Sequence, residues 1–156
     1  MVLKRFKEFK IKTVLFSKTD FEGTRLLRGL NKIALDLIVL AGFLWLIPEN
    51  VINGYTGKII NIHPSLLPAF PGMNAQKQAL EHGVKFSGCT VHFVDLGVDS
   101  GPIILQTVVP VYDKDDEKSL SKRILEQEHH LYPKAIKMIQ EKKIRFSGRT
   151  VTSKII

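Results

Sequence analysis

The sequence predicts an α/β fold in which a mostly parallel β-sheet is flanked by helices. Apolar runs of strand length alternate with helical patterns along the first half of the chain. Such alternation is typical of parallel sheets with right-handed crossovers. No internal repeat or linker divides the sequence, and 156 residues with 44% hydrophobic and 24% charged side chains suit one globular domain.

The first part of the chain predicts three strands separated by two helices. In chain order these are a strand at residues 13–16, a helix at 21–32, a strand at 37–40, a short helix after Pro48 and a strand at 58–62. The run at 37–40 is continuously apolar, which is typical of a parallel strand covered on both faces. The last strand ends at His63-Pro64, beyond which open α/β sheets bind their ligands.

The second part of the chain predicts a helix, two strands, a long helix and a final pair of strands. These are a helix from residue 74 to about 82, strands at 90–94 and 103–109 joined by LGVDSGP, a helix at 119–140 and two short strands within 144–156. Pro133 lies inside the long helical pattern, so we expect a kink or a break there.

Charge and hydropathy restrict the classes of partner. The formal net charge of +8 favours anionic partners. The basic residues are nevertheless spread along the chain without interleaved aromatic residues, so we expect no nucleic-acid partner. The longest apolar stretch has 11 residues, at positions 37–47, whereas a membrane-spanning helix needs about 20. We therefore expect small anionic substrates and no membrane.

The N-terminal segment and the single cysteine favour a cytoplasmic protein. MVLKRFKEFKIK is basic, but it lacks serine and contains Glu8, so we interpret it as an ordinary surface helix rather than a transit peptide. Only Cys89 is present, so no intrachain disulfide can form. It lacks the neighbouring ligands of a metal site, and we expect it to pack in the core.

Three polar residues form a candidate catalytic set. In NIHPSLLPAFPG, Asn61 and His63 are two residues apart at a predicted strand end, so both side chains leave the same face. Asp99 lies in a second turn, VDSGP. An amide donor, an imidazole and a carboxylate suit acyl transfer, because they can stabilise an oxyanion and move protons. Spacing alone leaves a second interpretation open, in which these are ordinary turn residues.

The same motifs resemble a known family. NIHPSLLPAFPG followed by GCTVHFVDLGVDSGPIILQ is very similar to the paired signatures of the glycinamide ribonucleotide formyltransferase family. VLAGFLWLIP, QKQALEHGVKFSG and RILEQEHHLYP are similar too, so the resemblance extends from about residue 13 to 152. It implies the Rossmann-like formyltransferase fold. It also implies transfer of a formyl group from N10-formyltetrahydrofolate to the amine of glycinamide ribonucleotide, in purine synthesis and without a metal.

The resemblance assigns roles to individual residues. Asn61 and His63 match the residues that stabilise the tetrahedral intermediate, and Asp99 matches the carboxylate that pairs with the histidine and assists proton transfer. Since a nearby carboxylate favours an imidazolium, we expect His63 to be a charged donor near neutral pH. Glu128 matches a carboxylate that contacts the ribonucleotide. His92 matches a second histidine, to which we assign a supporting role.

The folate cosubstrate is expected to bind to two segments through their backbone. In the family these segments hold the pterin ring. The matching residues are Phe43, Leu44, Trp45, Leu46 and Ile47 in the first segment and Val94, Asp95, Gly97 and Val98 in the second. Trp45 stands where many family members carry arginine.

The start of the chain departs from the family pattern. Family members begin with a strand, a glycine-rich turn and a helix N-terminus whose amides bind the substrate phosphate. No such arrangement is found near Met1, so we expect residues 1–156 to form one catalytic domain that lacks about 50 N-terminal residues of the family domain. An incomplete coding sequence, a degenerate enzyme or a chain completed by a partner would each explain this start.

Several related functions remain as alternatives. Formyltetrahydrofolate deformylase resembles the same catalytic half and uses water as the acceptor. Methionyl-tRNA formyltransferase shares the three catalytic residue types but needs a further tRNA-binding domain. A non-catalytic folate-binding fragment is the alternative from a different class. The sequence leaves the oligomeric state open, and a homo-oligomer is compatible with it.

Overall fold

The computed structural model describes residues 8–21 and 24–153. Its helices are α1 (Arg25–Asn31), α2 (Glu49–Gly54), α3 (Ala75–Glu81) and α4 (Glu117–Gln140). Its strands are β1 (Ile38–Leu40), β2 (Ile59–His63), β3 (Phe86–Phe93), β4 (Ile103–Pro110), β5 (Ile144–Ser147) and β6 (Thr150–Ser153). The first four strands form one sheet in the order β1-β2-β3-β4, and the last two form a separate hairpin.

The central sheet is mixed, so the predicted mostly parallel arrangement is wrong. Only β1 and β2 run parallel, whereas β2 with β3 and β3 with β4 pair antiparallel. Strand β3 enters the sheet beside the carboxyl end of β2, where His63 pairs with Thr90, and it then runs back along β2. The connection between β3 and β4 contains no helix, and a short link of this kind suits antiparallel neighbours. The predicted α/β class itself is confirmed.

The main core lies between the sheet and α4. Side chains that are almost fully buried meet there from both sides; they include Ile60, Cys89, Val91, Leu120, Ile124 and Ala135. Each fully buried isoleucine, leucine or valine side chain in this core contributes about 1.5–3 kcal/mol. The hydroxyl of Tyr132 donates to the carbonyl oxygens of Leu40 at 2.6 Å and Ile60 at 3.1 Å, which fixes the helix against β1 and β2. Cys89 is a core residue, as expected.

A second core lies beneath α1 and α2. Leu26, Val51, Ile52, Tyr55 and Ile59 are buried there. Partly buried apolar side chains from the segments around β1 pack against this group, including Phe21, Leu40, Ile47 and Val94. This second core therefore connects the two helices to the carboxyl end of β1.

The predicted strand at residues 13–16 is wrong. Residues 11–17 have no regular secondary structure, and Val14 and Leu15 are exposed. Among the described strands β1 pairs only with β2, so the segment gains no ladder partner. Phe16 instead packs near Gly29 of α1. The predicted helix at 21–32 is shorter than expected, because a separate 3-10 turn occupies Lys18–Phe21.

Two finer expectations are also corrected. Val39 in the middle of β1 is 40% exposed, so this strand is covered on one face only. The break considered at Pro133 does not occur, because α4 continues through the proline and Tyr132 and Ala135 on either side of it are buried; a kink there stays a prediction. Packing of the apolar face thus outweighs the missing backbone hydrogen bond.

The remaining predicted elements are confirmed. The strands expected at 37–40, 58–62, 90–94 and 103–109, the helices after Pro48 and at 74–82, and the final strand pair all occur. The long helix begins with a capping box, in which Asp116 accepts from the Ser119 amide at 2.7 Å and the Ser119 hydroxyl accepts from the Asp116 amide at 3.1 Å. The expected N-terminal surface helix falls mainly on residues 1–7, outside the described residues.

Candidate active site

Two neighbouring strands present polar side chains on the sheet face opposite α4. Asn61 and His63 alternate with the core residue Ile60 along β2, so they point away from the main core. On β3 the residues that pair with them are His92 and Thr90. Because paired residues lie side by side on one face of a sheet, these four polar side chains form one cluster.

The loop between β3 and β4 brings Asp99 into this cluster. One carboxylate oxygen, Oδ2, lies 3.1 Å from Nδ1 of His63 and accepts from the Gly72 amide at 2.8 Å. The other, Oδ1, lies 3.5 Å from both Nε2 of His92 and Nδ2 of Asn61. Asp99 has a φ of +49°, a conformation that a non-glycine residue keeps only where its surroundings hold it. The three predicted catalytic residues therefore meet.

The Asp99 carboxylate is stabilised as an anion. Burial would raise the pKa of this carboxyl, but the hydrogen bonds from His92 and the Gly72 amide and the charge of His63 outweigh burial. The pKa of Asp99 therefore lies below its ordinary value. At neutral pH the group is an acceptor that both histidines and the Asn61 amide face.

His63 lies between two hydrogen-bond acceptors. Its Nδ1 faces the Asp99 carboxylate, and its Nε2 lies 2.8 Å from the carbonyl oxygen of Phe70. Both contacts are satisfied only when each ring nitrogen carries a proton. Burial opposes that state and lowers the pKa of the imidazole, while Phe70 and Asp99 raise it and His92 lowers it. The net pKa is below the ordinary value, so the expected charged ring near neutral pH is wrong.

The amide of Asn61 remains available to a ligand. Its Nδ2 lies 3.5 Å from both His92 Nε2 and Asp99 Oδ1. Contacts of this length are weak, since strong N–H donors lie about 2.7–3.2 Å from their acceptors. The amide thus lies beside the carboxylate without forming a strong hydrogen bond to it. A carbonyl oxygen placed here receives a donor as negative charge develops on it.

The loop after β2 is fixed by a buried hydrogen-bond network. The Thr90 hydroxyl donates to the Ser65 carbonyl oxygen at 2.7 Å and accepts from the Leu67 amide at 3.1 Å. Gln106 donates to the Leu67 carbonyl oxygen at 2.9 Å, and the Ser65 hydroxyl donates to that of Ala69. Because the donors and acceptors within this network are paired, the loop that follows the candidate catalytic strand is held in one conformation.

Two backbone groups that were not predicted from the sequence complete the site. The Phe70 carbonyl contacts His63, and the Gly72 amide contacts Asp99. Backbone groups carry no residue-specific signal, so the sequence indicates them only through turn residues. Gly72 has a φ of +80°, which glycine adopts without strain and which turns its amide toward the carboxylate.

His92 supports the cluster from within the sheet. Its ring is 2% exposed, and Nδ1 lies 2.8 Å from the Phe93 carbonyl oxygen. That contact orients Nε2 toward Asn61 and Asp99. The side chain is buried below the other polar groups, in agreement with the supporting role assigned to it.

The first predicted folate segment contains an aromatic cluster. The Trp45 indole lies edge-on to Phe21 at 5.1 Å and to Phe43 at 6.3 Å between ring centroids. Trp45 is still 50% exposed, and Leu44 and Leu46 are each 76% exposed. The segment follows β1, whose last residue pairs with Asn61, so it begins beside the candidate catalytic strand.

The second predicted folate segment lies against the first. Ile47 and Val94 pack in the same apolar core, which brings the two segments together. Asp95 accepts from the Gly97 amide at 3.1 Å and from the Ser100 hydroxyl at 2.6 Å. The Asp95 side chain thus shapes the loop that carries Asp99, which leaves the backbone of this segment as its expected contact with a ligand.

The structure does not bring Glu128 to the other site residues. It lies half-buried on α4, over the opposite face of the sheet, where its charge acts on Cys89 and Tyr132. Burial raises the pKa of the Glu128 carboxyl, and His129 partly opposes this. Burial also raises the pKa of the Cys89 thiol to about 12, with a smaller effect of Glu128. The thiol is therefore protonated at neutral pH, as suits a core residue.

The described residues, 8–21 and 24–153, contain neither a cluster of metal ligands nor a membrane-spanning helix. No group of three histidine, cysteine, aspartate or glutamate residues in these ranges is arranged to hold a metal ion. No helix there is long and apolar enough to cross a membrane.

Known proteins are similar to this chain over most of its length. A family model described as "Formyl transferase" matches residues 2–136. Phosphoribosylglycinamide formyltransferase of Bacillus subtilis is 41% identical over 143 residues, which cover 88% of this chain and 73% of that protein. The trifunctional purine biosynthetic protein adenosine-3 of Drosophila melanogaster is 46% identical over 142 residues, which cover 88% of this chain but 10% of its own length.

A solved structure has the same fold. The glycinamide ribonucleotide transformylase 1 from Symbiobacterium toebii superposes with a TM-score of 0.92 at 43% identity, over 97% of this chain and 74% of that one. The resemblance predicted from the two motifs and the Rossmann-like formyltransferase fold are both confirmed. The chain belongs to the formyl transferase family.

Proposed function

We propose that this chain transfers the formyl group of N10-formyltetrahydrofolate to the amine of glycinamide ribonucleotide, a step of purine biosynthesis. The observation that carries the proposal is the 3.1 Å contact between His63 and Asp99 beside the lightly engaged amide of Asn61. Relatives named for this activity give further support. The metal-free mechanism and the catalytic roles of the three residues are part of the proposal.

The reaction begins when the amine attacks the formyl carbon. A carbon–nitrogen bond forms and the carbonyl electrons move to oxygen, where the amide of Asn61 donates to the oxyanion. The growing negative charge beside His63 favours the protonated ring, so the imidazole takes up the proton that the attacking amine loses. Asp99 holds the resulting imidazolium and so assists this transfer. The bond to N10 then breaks and the carbonyl re-forms, the imidazolium returns its proton to N10, and tetrahydrofolate leaves.

This mechanism agrees with the lowered pKa of His63. A ring that is neutral before the reaction and gains charge only with the oxyanion stabilises the transition state more than the substrate. The two acceptors at Asp99 and Phe70 are already in place for the charged ring. The arrangement is therefore organised for the intermediate rather than for the resting enzyme.

The folate ring system is proposed to bind between residues 43–47 and 94–98, through their backbone. Glu128 is proposed to contact the ribonucleotide, and the positive net charge of the chain to favour both anionic substrates. One catalytic domain spanning residues 1–156 and a cytoplasmic location complete the proposal. A homo-oligomer is compatible with it, and neither nucleic acid nor membrane is required.

Trp45 provides a direct test of the folate segment, because it is the only tryptophan of the chain. We expect formyl-folate to quench its fluorescence in a saturable manner. Trp45→Phe removes the signal but keeps an aromatic ring, so calorimetry gives nearly the original affinity. Trp45→Ala weakens binding by about three- to tenfold, the usual effect of one aromatic contact. Binding by calorimetry without quenching would place the folate elsewhere.

Tetrahydrofolate production by the 156-residue chain tests the function as a whole. The chain is supplied with N10-formyltetrahydrofolate, with and without glycinamide ribonucleotide. Production that requires the amine supports the transferase. Production with water alone supports the deformylase alternative and contradicts the proposal. If the folded chain binds folate but produces no tetrahydrofolate under either condition, the proposal is contradicted. That result supports a non-catalytic folate-binding fragment.

A further inference from the structure

The C-terminal hairpin reaches the loop that carries Asp99. Strands β5 and β6 pair antiparallel and are joined by Gly148 and Arg149. Gly148 has a φ of +58°, as the first central residue of a two-residue hairpin turn requires. This turn projects Arg149 from the hairpin tip. The hairpin lies outside residues 2–136, over which the family model matches.

The base of the hairpin is anchored to the body of the domain. Phe146 packs against Phe93 at the end of β3, with 5.2 Å between ring centroids. It also closely approaches Gly57, where an added Cβ would lie 3.0 Å from the Phe146 ring. Ile144 and Val151 pack against the main core. The hairpin tip therefore has a defined position relative to the sheet.

From this position Arg149 contacts the residue after Asp99. Its Nη2 donates to the carbonyl oxygen of Ser100 at 2.7 Å. A guanidinium bonded to a carbonyl oxygen is a charge-assisted hydrogen bond and is stronger than a neutral one. Arg149 has no carboxylate partner among the described residues, so this contact is not in competition with an ion pair.

The loop has little freedom at this point. Ser100 is also bound through its hydroxyl to Asp95. On its other side, a Cβ at Gly101 would overlap the Phe93 carbonyl oxygen, so the backbones are in close contact. Asp99 itself has a positive φ that its neighbours must maintain. A bond to the Ser100 carbonyl holds the peptide unit that directly follows this residue.

We propose that Arg149 is a positioning residue, which holds the Ser100 backbone so that Asp99 keeps its contact with His63. The inference rests on the proposed function for its catalytic consequence, and on geometry alone for its structural part. Small displacements of a catalytic group lower rates strongly, because reactive geometry is narrow. The hairpin thus holds the loop that carries Asp99 from outside the catalytic cluster.

Replacing Arg149 with alanine tests the proposal. We expect kcat to fall about three- to tenfold, the range that one lost hydrogen bond produces, with KM for both substrates nearly unchanged. The second readout is the titration of His63 by NMR, which requires no turnover. His63 is faced by Asp99, His92 and the Phe70 carbonyl. As Asp99 recedes, the His63 pKa falls further, and this result stands even if the chain is not a transferase.

Matched variants separate positioning from simple loss of stability. Arg145→Ala removes an exposed arginine of the same hairpin that has no side-chain hydrogen bond or ion pair among the described residues, and we expect no change in kcat or in the His63 titration. Arg149→Lys keeps a cationic donor and restores part of the activity. If Arg149→Ala lowered the melting temperature but left kcat and the His63 pKa unchanged, the proposal would be overturned. It would also be overturned if Arg145→Ala changed kcat and the His63 pKa as much as Arg149→Ala does.

Discussion

Replacing Asn61 with alanine is expected to lower kcat by about 100- to 1,000-fold, the effect of removing one oxyanion donor from an active site. The Asn61 amide makes 3.5 Å contacts with His92 and Asp99, which are weak enough for a ligand oxygen to replace them. Because the donor is needed most when the oxygen carries negative charge, the loss appears in kcat more than in KM.

The control for this variant is Asn53→Ala, which removes the same amide from an exposed position on α2. Its kcat should equal that of the parent. Folate binding by the Asn61 variant, followed through Trp45 fluorescence, should be nearly unchanged. If Asn61→Ala reduced kcat by less than threefold while folded and binding folate, the amide would have no part in stabilising the oxyanion.

Local spacing accounts for what could be predicted of the site. Asn61 and His63 are two residues apart on a strand, and the two-residue period of a strand places them on one face. Asp99 could be joined to them only through the family motif, because no local rule determines where a long loop returns. The register of Asn61 with His92, which completes the cluster, is likewise a property of the folded sheet.

The errors share a physical origin in tertiary context. Strand direction depends on where the chain re-enters the sheet, and His63 pairing with Thr90 at the end of β2 makes that pairing antiparallel. The charge state of His63 depends on burial, which outweighs the nearby carboxylate and lowers the pKa. A motif predicts which residues lie close together, but it does not predict how deeply the fold buries them. The contact from Arg149 has no sequence signal at all.

Asp99→Asn is expected to lower the rate of transfer at least tenfold while folate binding is largely retained. An asparagine has nearly the same shape, so its oxygen can take the place of Oδ2, which faces Nδ1 of His63 and accepts from the Gly72 amide. Its NH2 group would then replace Oδ1 beside His92 and Asn61. Because a neutral amide stabilises an imidazolium less than a carboxylate does, His63 would take up the amine proton less readily.

The titration of His63 reports this change directly. In the parent, the carboxylate opposes the effect of burial on the imidazole pKa. Removing the negative charge leaves burial less opposed, so the pKa of His63 should fall further below its ordinary value. Asp113→Asn is the matched control, because that side chain is 89% exposed and forms a surface ion pair with Lys85. Equal kcat and equal His63 titration in the Asp99 variant and the parent would remove Asp99 from the mechanism.

The stability of the same variant should depend on pH in a defined direction. The folded-state pKa of Asp99 is lowered, so its carboxylate stabilises the fold above the unfolded pKa of about 3.9, and this contribution is lost as pH falls. Parent and Asp99→Asn should therefore differ most in free energy of unfolding near neutral pH and converge below about pH 4. A difference that stays constant across this range would show that packing rather than charge accounts for the effect, and that the anionic form of Asp99 is not what the site stabilises.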